Sequence, residues 1–525
     1  YALIMAGSSF MITIISSLFE RWDSIERTKL DFATYEAFAD NIMNLPYSSL
    51  EDPEMQDKQW LAMQNRFDRV LQFTTAIASS LITLISVAAL VTTLNPIILA
   101  VIIVSSSVRF LIDRYQRNFP HRYNDERMRK ARINEYYEGI MTIPDCGKDI
   151  RIGNIENWLY NKADTSWRDN LYPLDRAFQQ KMLSFNSLTG IIGIFQDIAV
   201  YLILAVQVVN STMTVGDFSM YLTAASTFSS AVMGLSGNYS LLMIQTAWYL
   251  KEYRNCFLNS GHLKNNSVQT HIDIPKNAEI EFRDVSFKYP KTDRMILEHV
   301  NITIRRGETL SIVGENGAGK TTFIKLLCRL YEPTEGEILI NGIPAADISL
   351  DEYYRLFGVV FQDFSLFEFA VNENIAMNTE FDREHISQCI RKCGLENRVK
   401  TLPNGQDTYI CKNFDPDGIE LSGGEGQKIA IARAVYREAP IIIFDEPTSA
   451  LDPIAEYNIY KNFHDLAEQR TAIYISHRMS STRFTNKIAV FANGSIAEYG
   501  THNELMAKGG IYRDMFNIQA KNYMV

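Results

Sequence analysis

The feature that most limits what this chain can fold into is a long stretch without a charged residue, residues 70–108. One helix crosses a bilayer with about 20 apolar residues, so the stretch is long enough for two crossings. Its middle holds Asn95 followed by Pro96, a pair that favours a turn. The stretch therefore predicts a hairpin of two membrane-spanning helices.

Three other stretches have the same character. Residues 1–19 and 218–250 carry no charge, and residues 182–209 carry only Asp197. We therefore expect five spans. Because burying a charge at membrane depth is costly, Asp197 is interpreted either as a partner in a hydrogen bond between packed helices or as part of a substrate path.

The charges of the loops indicate the orientation of these spans. Residues 20–69 and 109–181 are rich in lysine and arginine, whereas the short turns near Asn95 and Asn210 contain neither. Loops rich in positive charge stay in the cytosol. We therefore expect the chain to start outside, to continue inside after residue 250, and to lack the first helix of a larger set.

Composition narrows the classes of protein further. The net charge of −10 argues against a nucleic-acid-binding protein, which would normally carry a basic surface. The six cysteines are too scattered for a zinc site or a disulfide framework, so we expect reduced thiols. Polar residues 259–277 are predicted to link a membrane domain, residues 1–258, to a soluble domain, residues 278–525, in which apolar strands and helices alternate.

The soluble part contains a glycine-rich loop between a predicted strand and a predicted helix, in "GETLSIVGENGAGKTTFIKLL". The pattern G-x-x-x-x-G-K-[ST] in this context allows backbone N–H groups to surround phosphates. Lys320 would neutralise the β- and γ-phosphate oxygens, and Thr321 would bind Mg²⁺. The residues expected to hold ATP here are Gly314, Asn316, Gly317, Gly319, Lys320, Thr321 and Thr322.

Further polar residues follow apolar strands and fit the same site. The run "APIIIFDEP" places Asp445 and Glu446 at the carboxyl end of a buried strand, where we expect Asp445 to hold Mg²⁺ and Glu446 to act as general base on water. Gln362 in "LFGVVFQD" is expected to bind Mg²⁺ or the water, and His477 in "TAIYISHR" to bind the γ-phosphate. Tyr289 either stacks on adenine or belongs to the core.

These motifs together resemble the exporter type of ATP-binding cassette (ABC) transporter. The matches are the Walker A loop "GENGAGKT", the Q-loop Gln362, the signature "LSGGE", the Walker B run "IIIFDE", the D-loop "SALD" with Asp452, the H-loop His477 and the A-loop Tyr289. The resemblance implies a dimer in which Ser422, Gly423 and Gly424 of one protomer bind the ATP held by the partner's Walker residues. It also implies coupling helices near residues 45–54 and 143–151.

Two positions depart from the usual family pattern. The fifth signature residue is Glu425 instead of glutamine. A carboxylate in the first turn of a helix is stabilised by the helix dipole, so Glu425 either stabilises the helix or accepts a hydrogen bond from the ribose of the partner's nucleotide. The segment "CKNFDPDGIE" before the signature is similar to that of bacteriocin and lantibiotic peptide exporters.

The resemblance implies an α-helical transmembrane domain, of the type IV exporter kind, fused to an α/β P-loop ATPase domain. We expect ATP-driven export by alternating access, with ATP and Mg²⁺ as cofactors and a peptide as cargo. A lipid or drug is the alternative cargo, and an ATP-gated channel or regulator the alternative function. The charge-free spans exclude a soluble cassette ATPase, and the fused domains argue against an importer.

The resemblance also implies partners and a location. Because every catalytic position is intact, the second half-transporter is expected to be an identical chain, although one half of a heterodimer would have the same sequence features. Membrane lipid is the other expected partner, and nucleic acid is not one. We expect an integral protein of a bacterial plasma membrane with its ATPase domain in the cytosol.

Overall fold

The computed structural model of the protein describes residues 2–64, 68–91, 96–116, 119–210, 213–257, 276–447, 470–476 and 478–522. The chain separates into two compact units, Tyr1–Leu263 and Lys264–Val525. The division falls within the stretch predicted as a linker, of which residues 259–275 lie outside the described part.

The described part of the first unit consists of helices and short connections. A π-helical turn, Trp167–Leu171, joins two of the helices, so the chain runs as one helix over Glu156–Val209. The helices are α1 (Ala2–Met43), α2 (Tyr47–Leu50), α3 (Pro53–Gln64), α4 (Asp68–Val91), α5 (Pro96–Gln116), α6 (Phe119–Thr142), α7 (Gly147–Gly153), α8 (Glu156–Ser166), α9 (Tyr172–Val209) and α10 (Val215–Phe257).

Long helices cover the described residues of all five charge-free stretches, namely α1, α4, α5, α9 and α10. Within the described residues, two helices are long and apolar enough to cross a membrane, Pro96–Gln116 and Glu156–Val209, and a shorter apolar helix covers Gln72–Val87. The predicted spans in α1, α4 and α10 are not among these two helices and stay predictions. The turn predicted at Asn95, between α4 and α5, lies outside the described residues, and the hairpin stays a prediction.

Helices α5, α9 and α10 pack around a small apolar core. Ile98 and Ile102 of α5 meet Val200 and Leu204 of α9 there. A polar chain crosses the same interface, because Ser105 Oγ donates to Gln196 Oε1 at 2.5 Å and Gln196 Nε2 donates to Ser229 Oγ at 2.7 Å. Elsewhere on α9 large apolar side chains are exposed, as expected of a surface that faces lipid: Ile194, Phe195 and Leu202.

Arg109 lies at an interface between helices. It begins the segment predicted to be cytosolic, lies inside α5 and is only 5% exposed. Its guanidinium fits against Gly193, where a Cβ atom would be 2.6 Å from Nη2, and Nη1 contacts the sulfur of Met233. A glycine on the neighbouring helix thus provides room for the side chain.

Asp197 lies on the exposed side of α9 and lines a cavity of about 290 Å³ together with Gln196 and Thr223. Among the described residues it makes no hydrogen bond that would join it to a packed helix. The helix-packing interpretation therefore has no support within the described part of the chain. Its place in a substrate path stays a prediction.

The segments between the spans are helical, as their sequence pattern indicates. The charged run that begins near Asn124 lies in α6, and short helices occupy both stretches predicted as coupling helices, α2 in the first and α7 in the second. Five cysteines are free thiols: Cys146, Cys328, Cys389, Cys393 and Cys411.

The second unit is an α/β domain. Its strands are β1 (Ile280–Lys288), β2 (Met295–Ile304), β3 (Thr309–Gly314), β4 (Glu335–Ile340), β5 (Ile343–Pro344), β6 (Phe357–Val360), β7 (Ile441–Asp445), β8 (Thr471–Ile475), β9 (Lys487–Ala492) and β10 (Ser495–Gly500). Its helices are α11 (Lys320–Leu327), α12 (Leu350–Arg355), α13 (Val371–Ala376), α14 (Arg383–Lys392), α15 (Glu396–Lys400), α16 (Gly423–Tyr436), α17 (His502–Lys508) and α18 (Ile511–Asn522).

The strands form two sheets. The larger has the order β10-β9-β3-β8-β7-β6, and its inner pairs are parallel, whereas the smaller sheet, β2-β1-β4-β5, is antiparallel. Strands β7 and β8 are buried along their whole length, which explains their uninterrupted apolar sequences. The loops after β3, β6, β7 and β8 consequently meet at one edge of the sheet, where a ligand of a parallel sheet binds.

Candidate functional site: the nucleotide-binding edge of the larger sheet

The phosphate-binding loop lies between β3 and α11. Gly314 has φ 152°, and a Cβ atom there would lie 2.3 Å from the Phe491 carbonyl oxygen, so the loop can leave the sheet only with glycine at this position. Gly319, at φ 103°, caps the first turn of α11. Lys320 Nζ donates to the carbonyl oxygens of Gly314 and Glu315, both at 2.9 Å, which holds the ammonium across the loop.

Two carboxylates stand at the end of β7, as the sequence predicted. Asp445 is 1% exposed, and neither of its oxygens has a hydrogen-bond partner among the described residues. Burial, followed by repulsion from Glu446, raises the pKa of Asp445 to about 6, although Lys320 opposes the shift, as does the Thr321 hydroxyl, which lies near the carboxylate without hydrogen-bond geometry. Burial also lowers the pKa of Lys320, while the two carboxylates oppose that change. At this edge the charges of Lys320, Asp445 and Glu446 thus influence one another's pKa values in a partly buried site.

Glu446 and Gln362 are in direct contact. Gln362 Nε2 donates to Glu446 Oε2 at 3.0 Å, so the ends of β6 and β7 are joined by side chains. Glu446 has φ 49°, a conformation that is uncommon for a residue other than glycine. Such backbone strain often marks a functional site, and here it directs the chain away from the sheet directly after Asp445.

The residues at this edge fit a divalent cation. Carboxylate, hydroxyl and amide oxygens are suitable ligands of Mg²⁺. The buried carboxylate oxygens of Asp445 make no hydrogen bond among the described residues, so they are available to bind a cation. Asp445, Thr321 and Gln362 are therefore the residues that would hold it.

Tyr289 lies beside the helix that follows the phosphate-binding loop. Its hydroxyl is 3.0 Å from Thr322 Oγ1, and its ring makes edge contacts with Phe287 and Tyr331 at centroid distances of 5.1 and 5.2 Å. The Lys325 ammonium lies 6.0 Å from the ring centroid. Tyr289 thus belongs to an aromatic group at the border of the core, and adenine stacking stays a prediction.

The signature segment starts α16. Ser422 is its N-cap and is exposed, as is Gly423. Ser422 Oγ accepts from Glu425 N at 3.3 Å while Glu425 Oε2 accepts from Ser422 N at 2.9 Å, a reciprocal capping box. The other oxygen of Glu425 lies 2.9 Å from Arg398 Nε. This geometry agrees with the helix-stabilising interpretation of Glu425, and the ribose contact stays a prediction.

Sequence reasoning missed two residues that hold the signature helix in place. Gln427, 1% exposed, donates from Nε2 to the backbone oxygen of Glu446 at 3.2 Å. Arg433 donates to the carbonyl oxygens of Asn374 and Ser365, at 2.8 and 3.0 Å. Burial lowers the pKa of Arg433. Their residue types carry no local signal, because the contacts join segments that are far apart in sequence.

Some predicted site residues cannot be placed. His477 and Asp452 lie outside the described residues. The structure brings Gln362, Asp445, Glu446 and the phosphate-binding loop to one edge of the sheet. Among the described residues, no hydrogen bond joins Ser422 to the phosphate-binding loop, and the composite arrangement stays a prediction.

Comparison with known proteins gives the family. A family model described as "ABC transporter" matches residues 297–449. The subtilin transport ATP-binding protein SpaT of Bacillus subtilis is 31% identical over 545 residues, which cover 99% of this chain and 85% of that protein. An ATP-dependent lipid A-core flippase of Burkholderia orbicola is 39% identical over 242 residues, 46% of this chain and 40% of the flippase.

The fold is also that of a solved structure. A bacterial Atm1-family ABC exporter with ATP bound superposes with a TM-score of 0.79 and 23% sequence identity, covering 97% of this chain and 87% of the other. The expected architecture, a helical membrane domain fused to an ABC ATPase domain, is therefore confirmed. The chain belongs to the ABC transporter family, as an exporter half-transporter in which ATP hydrolysis is coupled to transport across a membrane.

Proposed function

We propose that two copies of this chain form a peptide exporter with two composite ATP sites. In each site the Walker residues come from one protomer, and Ser422, Gly423 and Gly424 come from its partner. The observation that carries the proposal is the start of α16, where Ser422 and Gly423 are exposed at the helix N-terminus and the motif contains no lysine of its own. The positive end of a helix suits an anion, and a second protomer would bring its phosphate there.

Hydrolysis would use groups that already stand at the sheet edge. Glu446 accepts a proton from water as general base, and Lys320 holds the β- and γ-phosphates. His477, by resemblance to the family, contacts the γ-phosphate. Mg²⁺ supplies charge neutralisation of the phosphate oxygens when it is bound, held by Asp445, Thr321 and Gln362.

Export follows as a shift between two states. ATP bound between two protomers stabilises the closed pair of ATPase domains, and hydrolysis removes that advantage. Gln362 follows β6 and contacts Glu446, so it can report the presence of γ-phosphate to its own loop. The ATPase domain lies in the cytosol of a bacterial cell, in agreement with the lysine and arginine content of the long loops.

A peptide is the cargo with the best support. The match to the subtilin transport protein extends over 99% of the chain, including the half that would contact cargo, whereas the B. orbicola flippase match covers 46% of it. The segment 411–420 is similar to that of peptide exporters. A cavity of about 610 Å³ lies among α4, α5 and α10, and its lining is mostly apolar, with Phe110, Phe228 and Tyr239 among the larger residues. Such a lining suits the apolar side chains of an amphipathic peptide.

The second candidate is the export of lipid. The flippase relatives favour it, since one matches 61% of this chain at 33% identity. An ATP-gated channel is a third function, against which the intact Glu446 argues.

ATP turnover of the full-length chain in proteoliposomes tests the proposal. We expect an amphipathic cationic peptide to stimulate turnover more than phospholipid or lipid A does. Glu446→Gln should bind ATP with unchanged affinity and lose turnover by at least about 100-fold, as expected when a general base is removed. Stimulation by lipid alone would indicate that the cargo is a lipid and not a peptide. Near-normal turnover of Glu446→Gln would contradict the general-base role of Glu446.

A further inference from the structure

The acidic signature raises an electrostatic problem. Glu425 lies in the first turn of α16, at the helix end that is proposed to receive an ATP γ-phosphate. A carboxylate near that phosphate would repel it and would weaken the positive end of the helix. The carboxylate must therefore be neutralised or turned aside for the site to bind ATP well.

The structure provides a cation at the right place. Arg398 Nε lies 2.9 Å from Glu425 Oε1, and the two side chains are 38% and 26% exposed. The second oxygen, Oε2, accepts from the Ser422 backbone N–H at 2.9 Å. Oε2 is therefore held by a hydrogen bond, whereas the contact of Oε1 with Arg398 is an ion pair, because the Nε–H group of Arg398 makes no hydrogen bond among the described residues.

Arg398 is held on a fixed element. It belongs to α15, which is anchored in the core by Leu395 and Val399, 2% and 9% exposed. The same apolar cluster includes Ile429 of the signature helix. The cation and the carboxylate therefore come from two elements that pack against each other.

We propose that Arg398 is a positioning residue for the composite ATP site. It compensates the charge of Glu425 and holds the carboxylate away from the face formed by Ser422, Gly423 and Gly424. A glutamine at position 425 could keep the capping bond to Ser422 N and would need no cation. Arg398 is therefore required because residue 425 is acidic. This inference rests on the proposed composite site.

The test is a double-mutant cycle on the full-length chain, measured as ATP turnover against ATP concentration. We expect Arg398→Ala to raise KM for ATP about tenfold with a smaller change in kcat, because an uncompensated charge opposes the incoming anion. The rise should shrink at high salt, which screens the carboxylate. Adding Glu425→Gln to Arg398→Ala should return KM to within about twofold of the original value, since no charge is left to compensate.

A control variant is available on the same helix. Lys400→Ala removes an exposed ion pair with Glu396, at 2.8 Å, and should leave KM unchanged. If the double variant is as impaired as Arg398→Ala, Arg398 acts only by supporting the fold and the inference is wrong. An unchanged KM in Arg398→Ala overturns it as well.

A further variant separates this inference from the composite site itself. Ser422→Ala should impair turnover if the signature binds the partner's ATP. If Ser422→Ala impairs turnover and Arg398→Ala does not, the ion-pair inference alone fails. If neither variant has an effect, the composite site fails.

Discussion

At the scale of single residues, the clearest signal is the buried carboxylate of Asp445. Its oxygens have no hydrogen-bond partner among the described residues, and its pKa is about 6. Between about pH 4 and pH 6 the Asp445 carboxyl group therefore binds more protons in the folded than in the unfolded chain, and the contribution of this group to stability falls as the pH rises through this range. Above pH 6 the cost of the buried charge is fully present, unless a cation balances it.

The first prediction concerns this cost. In EDTA at pH 7.5, Asp445→Asn should raise the melting temperature of the full chain by roughly 2–4 °C, because the buried charge is removed. Mg²⁺ with ATP should stabilise the original chain more than the variant. Asp407→Asn serves as a control with the opposite expected effect. Arg383 lowers the pKa of Asp407 through a bidentate contact, so loss of the Asp407 charge should lower the melting temperature. A lower melting temperature of Asp445→Asn in EDTA would count against the argument.

Some residues of the site could be predicted from a short sequence motif, and others could not. Lys320, Asp445 and Glu446 were predictable because each sits in a short motif at the end of an apolar strand. The contact between Arg398 and Glu425 was not, and neither was that between Gln427 and the Glu446 carbonyl group. These contacts depend on how segments that are distant in sequence pack against each other. Neither apolar periodicity nor motif spacing predicts such packing.

At the scale of elements, close backbone approach limits substitution. Gly358 lies in β6, and a Cβ atom there would be 2.6 Å from the carbonyl oxygen of Ala434 in α16. Neither backbone can move without disturbing the sheet or the signature helix. Gly139, in α6, has open space around the corresponding position.

The second prediction follows from this contrast. Gly358→Ala should destabilise the ATPase domain by roughly 1–3 kcal/mol through overpacking. Gly139→Ala should stabilise its helix by about 0.5–1 kcal/mol, because alanine loses less backbone entropy. Thermal melting monitored in both units would measure the two effects. Equal melting temperatures for Gly358→Ala and the original chain would show that β6 and α16 can separate.

Helices and strands were largely predictable where the length of an apolar stretch matched that of the element. The long apolar stretches predicted the helices, and the apolar runs before Gln362 and Asp445 predicted β6 and β7. The packing of Arg109 inside α5 was not predictable from the sequence. Only the glycine at position 193, on another helix, explains how the arginine is accommodated.

At the scale of the whole molecule, the proposed dimer makes each active site depend on two chains. Lys320→Ala should inactivate the Walker side, and Ser422→Arg the signature side, so each variant alone should have no turnover. Co-expression of the two variants should restore roughly a quarter of the original turnover, because half of the dimers are mixed and each keeps one complete site. ATP turnover of the purified mixture measures this. No recovery, although mixed dimers form, would contradict the composite sites.

The hydrogen bond between Gln362 and Glu446 also affects what an idle transporter costs its cell. While that bond is in place, one oxygen of the general base is engaged and less available to a water molecule. Rearrangement of Gln362 then precedes efficient turnover, so nucleotide consumption depends on movement at the end of β6. If Glu446 is the general base, the rate at which an idle chain consumes ATP is set in part by how often Gln362 leaves it.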